Sequence, residues 1–157
     1  MTPGSETVAP KTSTMTKVFY ATTKTGEKTQ IGYIQSVAEF LKAPEGITYS
    51  ALDIPDERMA KGKIKAEPVE IPFLYTESQW DELRAVEAAD TEVYIFLQLP
   101  NETANTANKP VTFNFKSTLA VGMDQIEIDN MLQSKVTLYR SSSIEETKGF
   151  PTAQSGN

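Results

Sequence analysis

The chain has 157 residues, with 21 acidic and 15 basic side chains and a net charge of −6. This length favours a single domain, 1–157, that buries a sizeable core. The acidic balance argues against adhesive nucleic-acid binding, which needs Lys and Arg to replace phosphate counterions. The sequence contains neither Cys nor His, which excludes disulfides, thiolate metal sites and Ser-His-Asp or Cys-His catalysis. It shows no apolar run long enough for a membrane span or a signal core, so no membrane partner is expected.

The first part of the chain combines a polar leader with short strand patterns. Residues 1–15 are rich in Thr, Ser and Pro, and they are predicted to form an arm outside a core of about 16–143. Residues 31–41 fit both helical and strand spacing, and Gly32 with the β-branched residues favours a strand. The strands predicted here are 17–23, about 30–38 and 47–53.

A highly charged segment without apolar periodicity, 55–66, follows these strands. Long loops in compact domains are usually functional or mobile. The segment is therefore interpreted either as a solvated excursion or as a loop that contacts a neighbouring subunit. The residues predicted to make this contact are Asp56, Glu57, Arg58, Lys61 and Lys63.

Three agreeing signals mark the middle of the chain as strand, helix and strand, over 69–75, about 77–89 and 93–99. Both strands show a period of two. Between them, Thr76 and Gln79 have the spacing of a capping box, in which each side chain binds an orphan amide of the first helical turn.

The predicted helix carries one apolar stripe that is expected to pack on the sheet. Trp80 is expected to lie under the helix and to meet Tyr75 as a hydrophobic staple. The stripe consists of Trp80, Leu83 and Val86, with Ala85 and Ala89 beside them.

The last part of the chain again shows short strands between polar segments. Residues 101–110 are predicted to be a turn segment, and Gly122 is expected to interrupt the chain between strands. Residues 142–157 form a second predicted arm, which only Ile144 and Phe150 can anchor. The strands predicted here are 111–116, 125–129 and 135–140.

These elements predict an all-β sandwich or barrel with one flanking α-helix. No phosphate-binding glycine motif occurs, and two acidic clusters lack the spacing of a calcium-binding loop. The clusters are interpreted as solvated faces, so no catalytic site, metal or cofactor is expected and the chain is not expected to be an enzyme. They are Asp124, Glu127 and Asp129, and Asp53, Asp56 and Glu57.

Two classes of function remain, a self-assembling structural protein and a monomeric β-sandwich binding or adhesion module. The polar arms and the charged loop favour the first, because a compact monomer has little use for them. The segments that characterise the architecture are, in order, IGYIQSV, ITYSALD, AEPVEIPFLY, TESQWDELRAVEAAD, TEVYIFLQLP, VTFNFKS and VTLYRSS. Over about 16–143 this order resembles the tail tube (major tail) proteins of long-tailed bacteriophages, which are related to the tube proteins of contractile tails and type VI secretion.

The resemblance implies hexameric rings that stack into a tube in the virion tail, assembled in the host cytoplasm. Its partners would be further copies of itself, other tail proteins, and double-stranded DNA that passes through the lumen without specific binding. The candidate contact loop 55–66 becomes a ring-stacking loop. Gln125, Glu127 and Asp129 are the candidate lumen-facing residues, because they form the most acidic face of any predicted strand. A tube of a secretion or bacteriocin particle is a third interpretation.

Overall fold

The computed structural model of the protein describes residues 16–100 and 110–150. The predicted arm 1–15, most of the turn segment and the end of the second arm lie outside these residues. The described chain forms nine strands and one α-helix. They are β1 (Lys17–Ala21), β2 (Thr29–Ile31), β3 (Gly46–Tyr49), β4 (Arg58–Lys61), β5 (Val69–Leu74), α1 (Glu77–Ala89), β6 (Val93–Gln98), β7 (Val111–Met123), β8 (Gln133–Arg140) and β9 (Glu145–Lys148).

Seven strands form one sheet in the order β2-β1-β6-β7-β8-β5, and β9 pairs with the first part of β7. All of these pairings are antiparallel. β3 and β4 form a separate two-stranded hairpin. The predicted all-β architecture with one flanking helix is confirmed, and the predicted helix 77–89 has the observed bounds.

β7 has 13 residues and joins three other strands. One edge of its first part pairs with β6 over 112–117, and the other edge pairs with β9 over 111–114. Its second part pairs with β8 over 117–123. The predicted break at Gly122 is wrong, because Gly122 pairs with Lys135 and a strand glycine loses side-chain packing without losing its ladder bonds. β9 also makes the start of the predicted C-terminal arm a part of the sheet.

The hydrophobic core lies between one face of the sheet and α1. Leu83 is fully buried in it and Val86 packs against its margin. Trp80 is only half-buried, with its ring centroid 5.9 Å from that of Tyr75, as the staple prediction required. The two alanines of the predicted stripe are exposed. Among the largest fully buried side chains are Ile31, Ile71, Phe73, Leu83, Ile95 and Leu138.

The first turn of α1 is attached to the end of β2 by one side chain. Thr76 is the N-cap residue, but its side chain makes no capping hydrogen bond. The Oε1 atom of Gln79 accepts from the Gly32 amide at 2.8 Å, and its Nε2 donates to the Gly32 carbonyl at 3.3 Å. The predicted capping box is therefore wrong. The Gln79 side chain binds both backbone groups of Gly32, as a neighbouring strand would, and does not bind the first helical turn. Tyr33 then has a φ of 56°, which turns the chain, so that only the first two residues of the predicted strand 30–38 belong to β2.

Two acidic side chains further along α1 contact β7 and β1. The pairing of β6 with β7 ends at Ser117, and beyond it the Val121 amide donates to Glu87 Oε2 at 2.5 Å. This carboxylate satisfies an amide on a strand edge that β6 leaves open. On β1, burial raises the pKa of the Tyr20 phenol, and the nearby Glu82 carboxylate raises it further.

The opposite face of the sheet carries an aromatic cluster. Phe150 packs edge-on against Phe19 and Phe96, with centroid distances of 5.0 and 5.8 Å. The Lys28 ammonium lies 4.9 Å from the Phe96 centroid and 5.0 Å from the Phe150 centroid. Ile144 packs against the core. Ile144 and Phe150, the two residues of the C-terminal segment that could anchor it, therefore both pack on the fold.

We expect Gln79→Ala to lower the free energy of unfolding by about 1–2 kcal/mol, because two half-buried hydrogen bonds to Gly32 are lost. Ser78→Ala, on the exposed side of the same turn, is the control and should change it by less than about 0.5 kcal/mol. Urea denaturation measures both. Equal stability of the Gln79 variant and the wild type would contradict the attachment of α1 to β2.

Candidate functional site

The β3–β4 hairpin, residues 46–61, stands apart from the sheet. All eight of its strand residues are exposed, although several are large and apolar. Tyr49 is 49% exposed and Met59 69%, and Leu52 between the strands is fully exposed. A two-stranded hairpin alone is marginally stable in water, and grouped exposed apolar side chains mark interaction sites. The hairpin is therefore a candidate contact surface.

One face of the hairpin carries the residue types that dominate protein interfaces. Tyr49 pairs with Arg58, and Ile47 pairs with Ala60. Directly paired residues lie on the same face of an antiparallel pair, so Ile47, Tyr49 and Arg58 form one surface. Tyr and Arg are enriched among residues that contribute most to binding energy.

The base of the hairpin is closed just before β5 begins. The Gly62 amide donates to the Glu45 carbonyl at 2.5 Å, and the Glu45 amide donates to the Lys63 carbonyl at 3.4 Å. Lys42 forms an ion pair with Glu67, and its hydrogen bond and charge lower the pKa of the Glu67 carboxyl. These contacts fix where the hairpin leaves the body without covering its strands.

The predicted loop 55–66 is in part a strand. Arg58–Lys61 forms β4, whereas Asp56 and Glu57 lie in the connection between the hairpin strands and Lys63 follows β4. A half-buried strand is recognised by alternating apolar and polar residues. β4 lacks that signal because both of its faces are exposed.

The β7–β8 loop, residues 124–132, is the second exposed apolar surface. The predicted strand 125–129 is wrong, because these residues form a loop and turn. Asp129 has a φ of 62°, and Glu127 Oε2 accepts from the Asn130 side chain at 2.8 Å. The adjacent Asp129 and Asn130 are the sequence signal for this turn, since both residue types tolerate positive φ in turns.

This loop exposes apolar side chains that a strand would have turned toward the core. Ile128 is 90% exposed, Met131 71% and Ile126 67%. The loop also has three carboxylates and no basic residue. It is therefore both apolar and acidic, a combination that suits a basic and apolar partner surface.

An open groove of about 640 Å³ lies between the β7–β8 loop and the end of β5. Leu74 and Met131 contribute apolar lining, and Asp124 and Glu127 contribute carboxylates. Gln125 lines it as well. That Gln125, Glu127 and Asp129 face a lumen stays a prediction.

The two surfaces lie at opposite ends of β5. The hairpin is joined to the Val69 end of β5 by residues 62–68, where Lys42 forms its ion pair with Glu67. The β7–β8 loop lies at the other end, where the Tyr75 amide donates to the Leu132 carbonyl at 2.9 Å. A six-residue strand spans roughly 17 Å. The fold therefore separates the candidate ring-stacking residues from the candidate lumen-facing residues.

Within residues 16–100 and 110–150, no group of three or more Asp or Glu side chains is placed to hold a metal ion. The helix of this part of the chain is too short and too polar to cross a bilayer. That the chain needs no cofactor and catalyses no reaction stays a prediction.

The fold is similar to components of contractile injection systems. One is a chain of the anti-feeding prophage (AFP) baseplate, solved by cryo-EM with six-fold symmetry. It has a TM-score of 0.61 and 10% identity, with 88% of this chain and 96% of that chain covered. Another is a chain of the PVC sheath/tube terminator in the extended state, from an extracellular contractile injection system. It has a TM-score of 0.64 and 11% identity, with 88% and 97% covered.

No protein-family model and no curated protein matches the sequence. At identities near 10% the likeness shows a shared fold. The predicted relation to tail tube proteins is supported to this extent: the chain shares its fold with components of contractile tail-like particles.

We expect Tyr49→Ala to change the free energy of unfolding of the dilute monomer by no more than about 0.5 kcal/mol, because its side chain lies on an exposed hairpin. Phe73→Ala should lower it by about 3–5 kcal/mol, because Phe73 is fully buried. Guanidinium denaturation at low protein concentration measures both. A loss of several kcal/mol in the Tyr49 variant would mean that the hairpin packs on its own subunit.

Proposed function

We propose that the chain is a structural subunit that self-assembles into hexameric rings, which stack to form the tube of a tail-like particle. The observation that carries the proposal is the pair of exposed apolar surfaces at opposite ends of β5. The fold shared with components of contractile injection systems supports it. The role requires no catalytic residue.

Two different surfaces at opposite ends of a subunit favour a repeating, head-to-tail assembly. A two-fold symmetric dimer uses the same patch on both copies, whereas a heterologous contact joins different patches and generates rings or filaments. The β3–β4 hairpin and the β7–β8 loop differ in structure, charge and location. A monomeric binding module would leave both surfaces in water, which soluble monomers rarely do with large apolar patches.

The net charge suits a conduit. Six copies of the chain carry 6 × −6 = −36 charges. An acidic wall repels phosphates, so DNA passing through such a tube would slide without specific binding. Other tail proteins would be the partners at the tube ends, in a particle assembled in the host cytoplasm.

Electron microscopy of the purified full-length protein, with light scattering across a concentration series, tests the proposal. We expect six-membered rings or tubes, whose proportion rises with concentration because association follows mass action. Monodisperse monomers at high concentration would contradict the proposal.

The paired variant Tyr49→Asp with Met59→Asp should remove the rings, because it places charges on both faces of the β3–β4 hairpin. Asp81→Asn, on the exposed surface of α1, is the control that should still assemble. Circular dichroism should show both variants folded, because neither change reaches the core.

A further inference from the structure

We propose that the β3–β4 hairpin of one copy docks into the groove beside the β7–β8 loop of the next copy, with Tyr49 and Arg58 inserted as neighbours. The inference rests on the proposed self-assembly and names the two surfaces that meet in it. Both surfaces are exposed in the single chain. Within residues 16–100 and 110–150, the hairpin strands pair only with each other.

The chemistry of the groove matches that of the two inserted side chains. Tyr49 and Arg58 are cross-strand partners on one hairpin face. The groove offers Leu74 and Met131 to an aromatic ring, and a carboxylate of Glu127 to a guanidinium. A guanidinium donates charge-assisted hydrogen bonds to carboxylates, and these are stronger than neutral ones.

The distribution of charge points to the strands of the hairpin, and not to the connection between them, as the part that meets the groove. Acidic residues lie in the connection, whereas basic residues lie on β4, which begins with Arg58, and just after it. The β7–β8 loop carries only acidic charge, so it attracts the basic strand β4 and repels the connection, which must lie outside the groove when Tyr49 and Arg58 enter it. The basic residues are Arg58, Lys61, Lys63 and Lys65, the acidic residues of the connection are Asp53, Asp56 and Glu57, and those of the β7–β8 loop are Asp124, Glu127 and Asp129.

The position of the two surfaces makes the occupant a second copy. The hairpin leaves the body at the Val69 end of β5, and the groove lies at the Leu74 end. The hairpin strands show no extensive contact with the rest of the described chain. A contact that joins one end of a subunit to the other end of the next repeats indefinitely or closes into a ring.

Disulfide trapping tests the contact directly, because the wild-type chain contains no Cys. The probe is the full-length variant with Tyr49→Cys and Met131→Cys together, oxidised under conditions in which the wild type assembles. We expect a ladder of dimers, trimers and larger species on a non-reducing gel, which collapses to monomer on reduction. The control, Ser78→Cys with Met131→Cys, places the first thiol on exposed α1 and should give no ladder.

A second pair of variants reads the same contact through charge. Arg58→Glu and Glu127→Arg should each weaken association by at least about tenfold. The variant that carries both changes should recover most of it, because the ion pair is restored in the opposite sense. Recovery is a property of a contact and is not expected from two independent folding defects.

The outcomes separate this inference from the proposed function. Rings or tubes in the wild type without a ladder, or a trapped species that runs only as monomer, would overturn the docking contact while leaving self-assembly intact. A wild type that stays monomeric would overturn both. Assembly with a ladder and with charge recovery supports both.

Discussion

The structure depends on the need to satisfy both edges of β7, whose 13 residues exceed the usual strand length. β6 and β9 flank its first part, and β8 pairs with its second part. Val121 lies beyond the last β7 residue that pairs with β6, and its amide donates a hydrogen bond to the Glu87 carboxylate of α1. The helix is thus held in place by a strand edge as well as by the core contact of Leu83.

The outer edge of β5 is also hydrogen-bonded within the subunit, so little of it is free to pair with a strand of another copy. The segment 33–38 runs beside its outer edge and exchanges backbone hydrogen bonds with it, from the Tyr33 carbonyl to the Ala38 amide. Among the described residues, most of the large apolar side chains that stay exposed lie in the β3–β4 hairpin at one end of β5 and in the β7–β8 loop at the other. A fold that covers the outer edge of β5 but leaves these two surfaces open is suited to assembly through them.

The sequence predicted the middle of the fold well, because its signals there are local. The strand before α1, the helix over 77–89 and the strand after it each follow from periodicity within one element. The function of Gln79 was missed because Gly32, its partner, is 47 residues away. β4 was missed because neither face is buried, and the β7–β8 loop was read as a strand because Ile126 and Ile128 alternate with polar residues. At both candidate surfaces the prediction failed because periodicity assumes that apolar residues are buried, whereas here they are exposed.

Amide hydrogen exchange, compared between assembled and dissociated protein, tests the central claim most directly. If the two exposed surfaces meet in the assembly, we expect protection to rise in 46–61 and 124–132 together, while α1, which both states share, changes little. Peptides from α1 provide the internal reference. Assembled protein in which both segments exchange as fast as in the monomer would contradict the account.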